Sequence, residues 1–419
     1  MSADGSTTAT TPAPARSAFS RLFAAACGAH LGDQLALSAL PLTAVLVLGA
    51  DAATVGMLVA AQGAAWLVAS LPAGLLVDRL SRRSVLAGSQ ALAAVGFALA
   101  TAMALAGSVP LLGLSAFVAA LGTVAFALGV NAMVPDLVGR AALSRANGRI
   151  EVARALVTLA APVAVGAMAR HGTPTLAYAA AACAAALACI AALALPRTAP
   201  PSARDRAMGA EIAEGFRFLA QSPVLRPIAL CALLWNAAFF AFVAVYVPFT
   251  LARVTSDPAL VGLGQAGYGA GLILGAATAA TILHRLGAAP VLLGGPALSV
   301  AAPLALLAAA HGGGVPALFF GQFMVGFGPM LWFVCQTSIR QIVTPPQLLG
   351  RVGATLQLAI YGVRPFGALA GGWLALHYGA DVALIAVAGL FAASFVAIAL
   401  SRLAGLRSLA DLPSAAPAA

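Results

Sequence analysis

Long apolar segments recur along the whole chain, and their length limits the possible folds more than any other feature. A bilayer core of about 30 Å takes about 20 helical residues to cross, because a helix rises about 1.5 Å per residue. Only 8% of the residues are charged, whereas a soluble domain has about a quarter. The sequence therefore predicts an all-α polytopic membrane protein with twelve transmembrane helices, at 19–49, 53–76, 84–106, 109–132, 147–169, 174–196, 224–250, 259–283, 290–310, 315–338, 348–376 and 381–402.

The 22 basic residues are all arginines, and they alternate along the chain with the turns between the predicted spans. Eighteen fall on one side, here called the arginine-rich side, and only Arg170 and Arg253 fall in turns on the opposite, arginine-poor side. Arg154 and Arg364 lie inside predicted spans. Because cytoplasmic loops accumulate arginine, we expect the arginine-rich side and both termini to be cytoplasmic.

A hydrophilic connection at 197–222 divides the chain into two predicted six-helix bundles, 19–196 and 223–403. Residues 1–18 are expected to form a disordered cytoplasmic tail and residues 404–419 a second cytoplasmic tail.

The two halves have similar sequence patterns, which predicts pseudo-symmetry. The stretch from Asn131 through Pro162 parallels the stretch from Thr337 through Pro365. Each pairs a basic turn after one span with a proline deep in the next. Such duplication is common in secondary transporters, where the substrate site lies between the repeats.

The turn after the second span reads Gly74-Leu-Leu-Val-Asp78-Arg79-Leu-Ser-Arg82-Arg83. It resembles the signature G-x-x-x-D-R-x-G-R-[RK] of the major facilitator superfamily, with serine in place of the second glycine. This resemblance implies a cytoplasmic gate formed by Gly74, Asp78, Arg79, Arg82 and Arg83. The alternative is a plain basic turn that only sets topology.

Residues 131–150 are similar to the branch of that superfamily containing the enterobactin exporter and the macrolide and tetracycline efflux pumps. The resemblance implies a monomeric transporter of small molecules that rocks two helical bundles about a central cavity. It also implies a location in the bacterial inner membrane, with membrane lipids as its surroundings.

Asp33 lies near the middle of the first span, followed by Gln34. A buried carboxyl group near a cation can load and release a proton, because burial and the cation act on its charge in opposite directions. Asp33 is therefore predicted to couple transport to protons, and Gln34 to contact substrate. A fixed structural ion pair, or a position nearer the cytoplasm, is the alternative.

Arg364 lies in the middle of the eleventh span, before Pro365, which removes a backbone hydrogen bond. It is predicted to bind an anionic substrate or to neutralise Asp33; a permanent ion pair across the halves is equally compatible. Asn236, Gln357 and Tyr361 complete the predicted substrate cavity.

Two further patterns predict local packing. Glu151 and Arg154 are three residues apart on one helical face and are expected to form an ion pair. Gly267, Gly271 and Gly275 form a ladder that would let a neighbouring helix approach closely.

Several classes of function are excluded or unsupported. Without lysine there is neither a phosphate-binding loop nor a pyridoxal Schiff base. The net charge of +10 has no polar domain on which to bind nucleic acid. The scattered histidines and cysteines predict no metal site and no cofactor.

The leading hypothesis is a proton-coupled exporter of small organic molecules, such as drugs or siderophores. An importer or uniporter on the same fold is the nearest alternative. A polytopic membrane enzyme or receptor is the alternative from another class, and no catalytic cluster supports it.

Overall fold

A computed structural model describes residues 13–197 and 208–412, and this part of the chain is helical with no strand. Its helices are α1 (Ala13–Leu46), α2 (Ala52–Arg79), α3 (Arg82–Leu105), α4 (Val109–Arg170), α5 (Leu176–Leu193), α6 (Met208–Gln221), α7 (Leu225–Arg253), α8 (Pro258–Leu286), α9 (Ala288–Ser299), α10 (Ala301–Ala308), α11 (Gly314–Val343), α12 (Leu349–Gly362), α13 (Arg364–Tyr378) and α14 (Ala380–Ala399). A π-helical turn, Ala309–Gly313, joins α10 to α11, and 3-10 turns follow α14 at Arg402–Gly405 and Leu409–Asp411.

Helix is present in each of the twelve predicted spans, and nine stretches of the described chain are long and apolar enough to cross a membrane. One of these, Ala288–Val343, contains two predicted spans. Helix α1 and the pair α12–α13 fall outside the nine. The first carries Asp33 and Gln34, and the second is interrupted at Val363. The segments that depart from a plain apolar span thus carry most of the predicted cavity residues; Asn236, on α7, is the exception.

Helix α4 contains two predicted spans, and the connection between them is helical as well. A straight helix of this length would extend about 90 Å, roughly three times the bilayer core. Leu112 and Val165, near its two ends, belong to one apolar cluster, whereas Val134 and Ile150 belong to another. The chain therefore reverses within α4, and its parts 109–138 and 145–170 cross the molecule in opposite directions.

The apolar core has three clusters arranged like a V. One lies towards the arginine-poor side and combines residues of both halves, such as Leu58 and Phe242. The other two lie towards the arginine-rich side, one built around Leu22 and Leu86 of the first half, the other around Leu292 of the second. The halves therefore share a core at one end and have separate cores at the other.

Glycines allow the halves to touch at the arginine-poor end. A methyl group placed on Gly262 of α8 would lie 2.2 Å from the Pro162 carbonyl oxygen on α4, and one on Gly56 of α2 would lie 2.6 Å from that of Ala368 on α13. At the arginine-rich end, a methyl group on Gly74 would meet no atom within 4 Å. Together with the separate cores at the arginine-rich end, these contacts indicate that the space between the halves is closed at the arginine-poor end and open at the other.

The glycine ladder packs as predicted. Methyl groups on Gly267 and Gly271 would lie 2.3 Å from the carbonyl oxygens of Phe319 and Phe323, both on α11. Gly275 contacts the same helix near Phe327. In lipid, small residues of this kind permit close helix approach.

The predicted tails and central connection are more structured than expected. Helix α1 already includes residues 13–18, because Phe19 and Leu22 are buried and extend the helix into the core. The central connection contains α6, and residues 404–412 lie against the second half, where the Ala289 N–H donates to the Leu406 carbonyl at 2.9 Å. Residues 1–12, 198–207 and 413–419 lie outside the described residues.

Candidate functional site

Asp33 lies where α1 faces both parts of α4. Thr123, on the first part, and Gln34 are neighbouring side chains that act on its carboxylate. One turn earlier, His30 Nε2 lies 3.2 Å from the Thr158 hydroxyl on the second part. The Thr158 hydroxyl itself donates to the Arg154 carbonyl at 2.9 Å. A polar strip therefore connects α1 to the middle of α4.

Arg364 is held by an amide and two aromatic rings. Its Nε donates to Asn236 Oδ1 at 3.1 Å, and Asn236 Nδ2 donates to the Ala232 carbonyl at 2.9 Å, which fixes the orientation of the amide. The guanidinium carbon lies 4.0 Å from the centroid of Tyr361 and 4.9 Å from that of Phe240. Such cation–π contacts hold arginine without neutralising it.

A break in the helix brings Arg364 to this position. Helix α12 ends at Gly362, and α13 begins at Arg364 with Pro365 in its first turn. Proline cannot donate a backbone hydrogen bond, so the helix is readily interrupted here. Gly63 of α2 faces the break, and a methyl group there would lie 3.6 Å from Arg364 Cβ.

Aromatic rings continue the site on both sides of Arg364 and form one wall of it. Trp66 of α2 lies 4.2 Å from Tyr361, and Tyr268 of α8 lies 5.4 Å from Phe239 of α7, measured between ring centroids. Trp66 comes from the first half and the other three rings from the second. The wall therefore crosses the boundary between the halves.

Asp33 and Arg364 act on each other through space. The cationic charges that act on Asp33 are those of Arg154 and Arg364, and Asp33 in turn acts on Arg364. Both side chains lie deep in the molecule yet keep accessible surface, so they line an internal space. No ion pair within 4.0 Å joins Arg364 to a carboxylate among the described side chains. The direct pair considered from the sequence is therefore not formed.

The other predicted cavity residues differ in how much of their side chains is exposed. Asn236 is buried, Gln34 and Tyr361 are half-buried, and Gln357 is exposed one turn before Tyr361 on α12. His30, Thr123, Thr158 and Phe240 were not predicted. His30 alone carried a signal, because it lies three residues before Asp33 and hence on the same helical face.

The predicted gate lies at the open, arginine-rich end. Arg79 is exposed and Arg83 is half-buried. Arg82 forms an ion pair with Asp136 of α4, within the first half. The Asp78 side chain lies outside the described part of the structure.

Ser81, which replaces the signature glycine, caps helix α3. Its backbone is extended at φ −60° and its side chain accepts a hydrogen bond from the Ser84 N–H. Any residue can adopt this backbone conformation, so glycine is not required here.

One other sequence-based expectation has a clear outcome. Arg154 Nη1 donates to Glu151 at 3.0 Å, as predicted, and the pair is exposed. Within the described residues, no three histidine, cysteine or acidic side chains cluster as metal ligands.

Comparisons with known proteins agree with this architecture. The family model of the Major Facilitator Superfamily matches residues 22–255. The enterobactin exporter EntS of Citrobacter koseri is 28% identical over 309 residues, which is 71% of each chain. EntS of Salmonella typhimurium is 28% identical over 306 residues, again 71% of each.

Solved structures show the same fold at much lower sequence identity. A nucleoside transporter, NupG, superposes with a TM-score of 0.72 at 13% identity, covering 90% of this chain and 97% of NupG. A peptide transporter, POT, in complex with sulfate gives 0.73 at 16% identity, covering 93% and 96%. With a family model that matches more than half of its length, the chain belongs to the Major Facilitator Superfamily and is a multi-pass membrane transporter, not an enzyme.

Proposed function

We propose that this protein is a proton-coupled exporter of small organic molecules that works by alternating access. The observation that carries the proposal is a pair of opposite charges contributed by different halves. Asp33 of the first half and Arg364 of the second line one internal space that is closed at the arginine-poor end. A change in the angle between the halves would therefore alter this site directly.

Arg364, Asn236 and Tyr361 are the proposed centre of substrate binding. Arginine stays charged at every relevant pH, and only its Nε is engaged by Asn236, so the other guanidinium nitrogens can donate to a substrate oxygen. The surrounding rings offer flat apolar faces. Gln34 and Gln357 would contact more peripheral groups. The relatives are enterobactin exporters, which supports a siderophore or drug-like molecule as cargo.

Asp33 is the proposed proton carrier. When ionised, its carboxylate can accept a hydrogen bond from a substrate N–H or O–H group; when protonated, it loses much of that ability. A proton arriving from outside would therefore weaken substrate binding as the substrate leaves. Coupling requires such a difference in affinity between two states.

The gate completes the proposed cycle. Gly74 faces open space at the arginine-rich end. When the cavity opens outwards, Asp78 would latch against the other half, with Arg79, Arg82 and Arg83 in support. A carboxylate is stabilised beside a helix N-terminus, which is the kind of partner that such a latch needs.

The proposed setting is the bacterial inner membrane, with both termini cytoplasmic and the protein monomeric. Bundles 19–196 and 223–403 would move as two bodies. The strong bias of arginines towards one side supports this orientation.

The test compares wild type with Asp33→Asn and Arg364→Gln in inverted membrane vesicles, using a panel of catecholate siderophores and lipophilic dyes. Glu151→Gln is the matched control, because Glu151 is an exposed acid paired only locally. We expect Asp33→Asn to abolish the dependence of substrate accumulation on the pH gradient. Arg364→Gln should weaken substrate binding by about tenfold, as for one hydrogen bond to a charged group.

Proton release on substrate addition to the purified protein is the second measurement. Wild type and Glu151→Gln should release protons, and Asp33→Asn should not. Gradient-independent transport that persists in Asp33→Asn would indicate a uniporter, and substrate movement towards the cytoplasmic side would indicate an importer. Either outcome contradicts the proposal.

A further inference from the structure

A groove lies at the arginine-rich end of the first half, and none of its lining residues is among those named at the site described above. It is about 460 Å³ in volume and is formed by the start of α1 and the second part of α4. The residues around it include Phe23, Arg145, Gly148, Arg149, Val152 and Leu156. The groove is thus shallow and almost wholly apolar, and two arginines border it.

Arg145 and Arg149 are the charged residues of the groove. No carboxylate lies within 4.0 Å of Arg145 or Arg149 among the described side chains. The Arg149 guanidinium rests over the rings of Phe19 and Phe23, 5.2 and 5.0 Å from their centroids. These contacts orient the cation and leave its charge uncompensated.

The apolar strip is exposed. Val152 is 62% exposed and Leu156 is 54% exposed, although both belong to a predicted transmembrane span. Towards the arginine-poor side, the same helix packs on α8 at Leu159 and Pro162. The uncovered strip thus begins where the contact between the halves ends.

The second half shows what covers the corresponding surface. By the internal repeat, the start of α12 corresponds to the start of the second part of α4. There, Glu214 of α6 forms an ion pair with Arg351. Gly215 packs so closely that a methyl group would lie 2.7 Å from the Arg351 carbonyl, and Phe218 joins the apolar cluster beneath. In the second half, an acidic group on an apolar body thus covers the surface that corresponds to the groove.

We propose that the groove binds the headgroup of an anionic phospholipid from the leaflet on the arginine-rich side. The lipid phosphate contacts Arg145 and Arg149, and an acyl chain lies along Val152 and Leu156. Charge complementarity selects the headgroup, because arginine binds phosphate oxygens with two or more donors. The exposed apolar strip selects a lipid over a free anion. The site is independent of the proposed substrate and of proton coupling.

The test titrates the full-length protein, purified in neutral detergent, with phosphatidylglycerol or with phosphatidylcholine of the same chain length. Native mass spectrometry counts the lipids retained. We expect one phosphatidylglycerol to bind at least about tenfold more tightly than phosphatidylcholine. The double variant Arg145→Gln/Arg149→Gln should weaken phosphatidylglycerol binding about 30-fold, because each arginine near an anionic lipid contributes a factor of about five.

A second variant blocks the groove without touching its charges. A methyl group on Gly148 would meet no atom within 4 Å, so Gly148→Leu should fill the groove without disturbing the fold. It should also abolish the preference for phosphatidylglycerol over phosphatidylcholine. Gly353→Leu, equally open on α12, is its control. The exposed pair Arg226→Gln/Arg285→Gln controls for the loss of two charges. Both controls should bind lipid as wild type does.

Three results would overturn the proposal. One is equal affinity for the two lipids, and another is retention of the preference in both groove variants. The third is displacement of the lipid by millimolar glycerol 3-phosphate, which would indicate a site for a free anion. Each variant is compared with wild type by gel filtration, so that a folding defect is recognised before binding is scored.

Discussion

The two ends of the interface between the halves differ in what holds them. At the arginine-poor end, Gly262 and Gly56 bring backbones into contact, and Arg170 of α4 lies 3.6 Å from Asp257 of α8 across the boundary. At the arginine-rich end, the ion pairs Arg82–Asp136 and Glu214–Arg351 do not bridge the two halves. Among the described side chains, an ion pair thus joins the halves at the arginine-poor end and none joins them at the arginine-rich end.

This difference shows which contacts must break when the cavity reverses. Backbone packing through glycine has no flexible side chain to adjust, so it is either formed or absent. The ion pair is partly exposed and contributes less, about 0–1 kcal/mol. Backbone packing should thus contribute most of the free energy that keeps the arginine-poor end closed, and the ion pair should contribute less.

The largest expected effect comes from adding one methyl group to the closed end. Gly262→Ala would place that group 2.2 Å from the Pro162 carbonyl oxygen. Overpacking of this kind costs about 1–3 kcal/mol, which shifts the balance between closed and open by about fivefold or more. Spin labels at positions 173 and 256, in a cysteine-free background, would report the separation of the halves at this end.

The control for this variant is Gly88→Ala, on α3, where a methyl group meets no atom within 4 Å. It should leave the distance distribution unchanged. A Gly262→Ala protein with the short distance of wild type would mean that backbone packing does not set the closed state.

A smaller effect is expected from the charges at the same end. Asp257→Asn removes the ion pair with Arg170 but keeps a side chain that can accept from the Ala259 N–H and cap α8. The ratio of closed to open molecules should fall by no more than about fivefold relative to wild type. This difference between variant and wild type should shrink in high salt. The same spin-label distances measure it.

Asp381→Asn is the matched control, because Asp381 pairs with Arg253 inside the second half at 3.5 Å. It should not change the separation between the halves. An equal shift in both variants would show that net charge, and not the inter-half pair, biases the equilibrium.

The sequence predicted those features that depend on local pattern. Apolar length located the helices, and the spacing of Gly267 and Gly271 identified a packing face. The pairing of Glu151 with Arg154 followed from helical periodicity alone. The helix that packs against each face does not follow from the local pattern, because it is decided by the packing of distant segments.

The candidate site was predicted as a set of residue types and not as an arrangement. Asp33 and Arg364 were singled out because charges are costly in lipid. That Arg364 would be held by Asn236 and two rings, and not by Asp33, depends on the break at Val363 and on the position of α7. Pro365 accounts for the break, but the position of α7 is decided by the packing of distant segments.

The smallest expected effect concerns the cap that starts α2 beside the closed end. Asp51 accepts a hydrogen bond from the Thr54 N–H at 2.8 Å, and this bond lowers the pKa of its carboxyl group. The next residue, Ala52, contacts Gly372 of α13. A lowered pKa means that the stabilisation is complete above the unfolded-state pKa and is lost as the pH falls through the lower folded-state pKa.

Asp51→Ala should therefore reduce the free energy of unfolding by about 0.5–1 kcal/mol at neutral pH. The difference from wild type should shrink in acid below the ordinary aspartate range, as measured by thermal unfolding in detergent. A difference that is constant with pH would show that the cap acts through its shape and not through its charge.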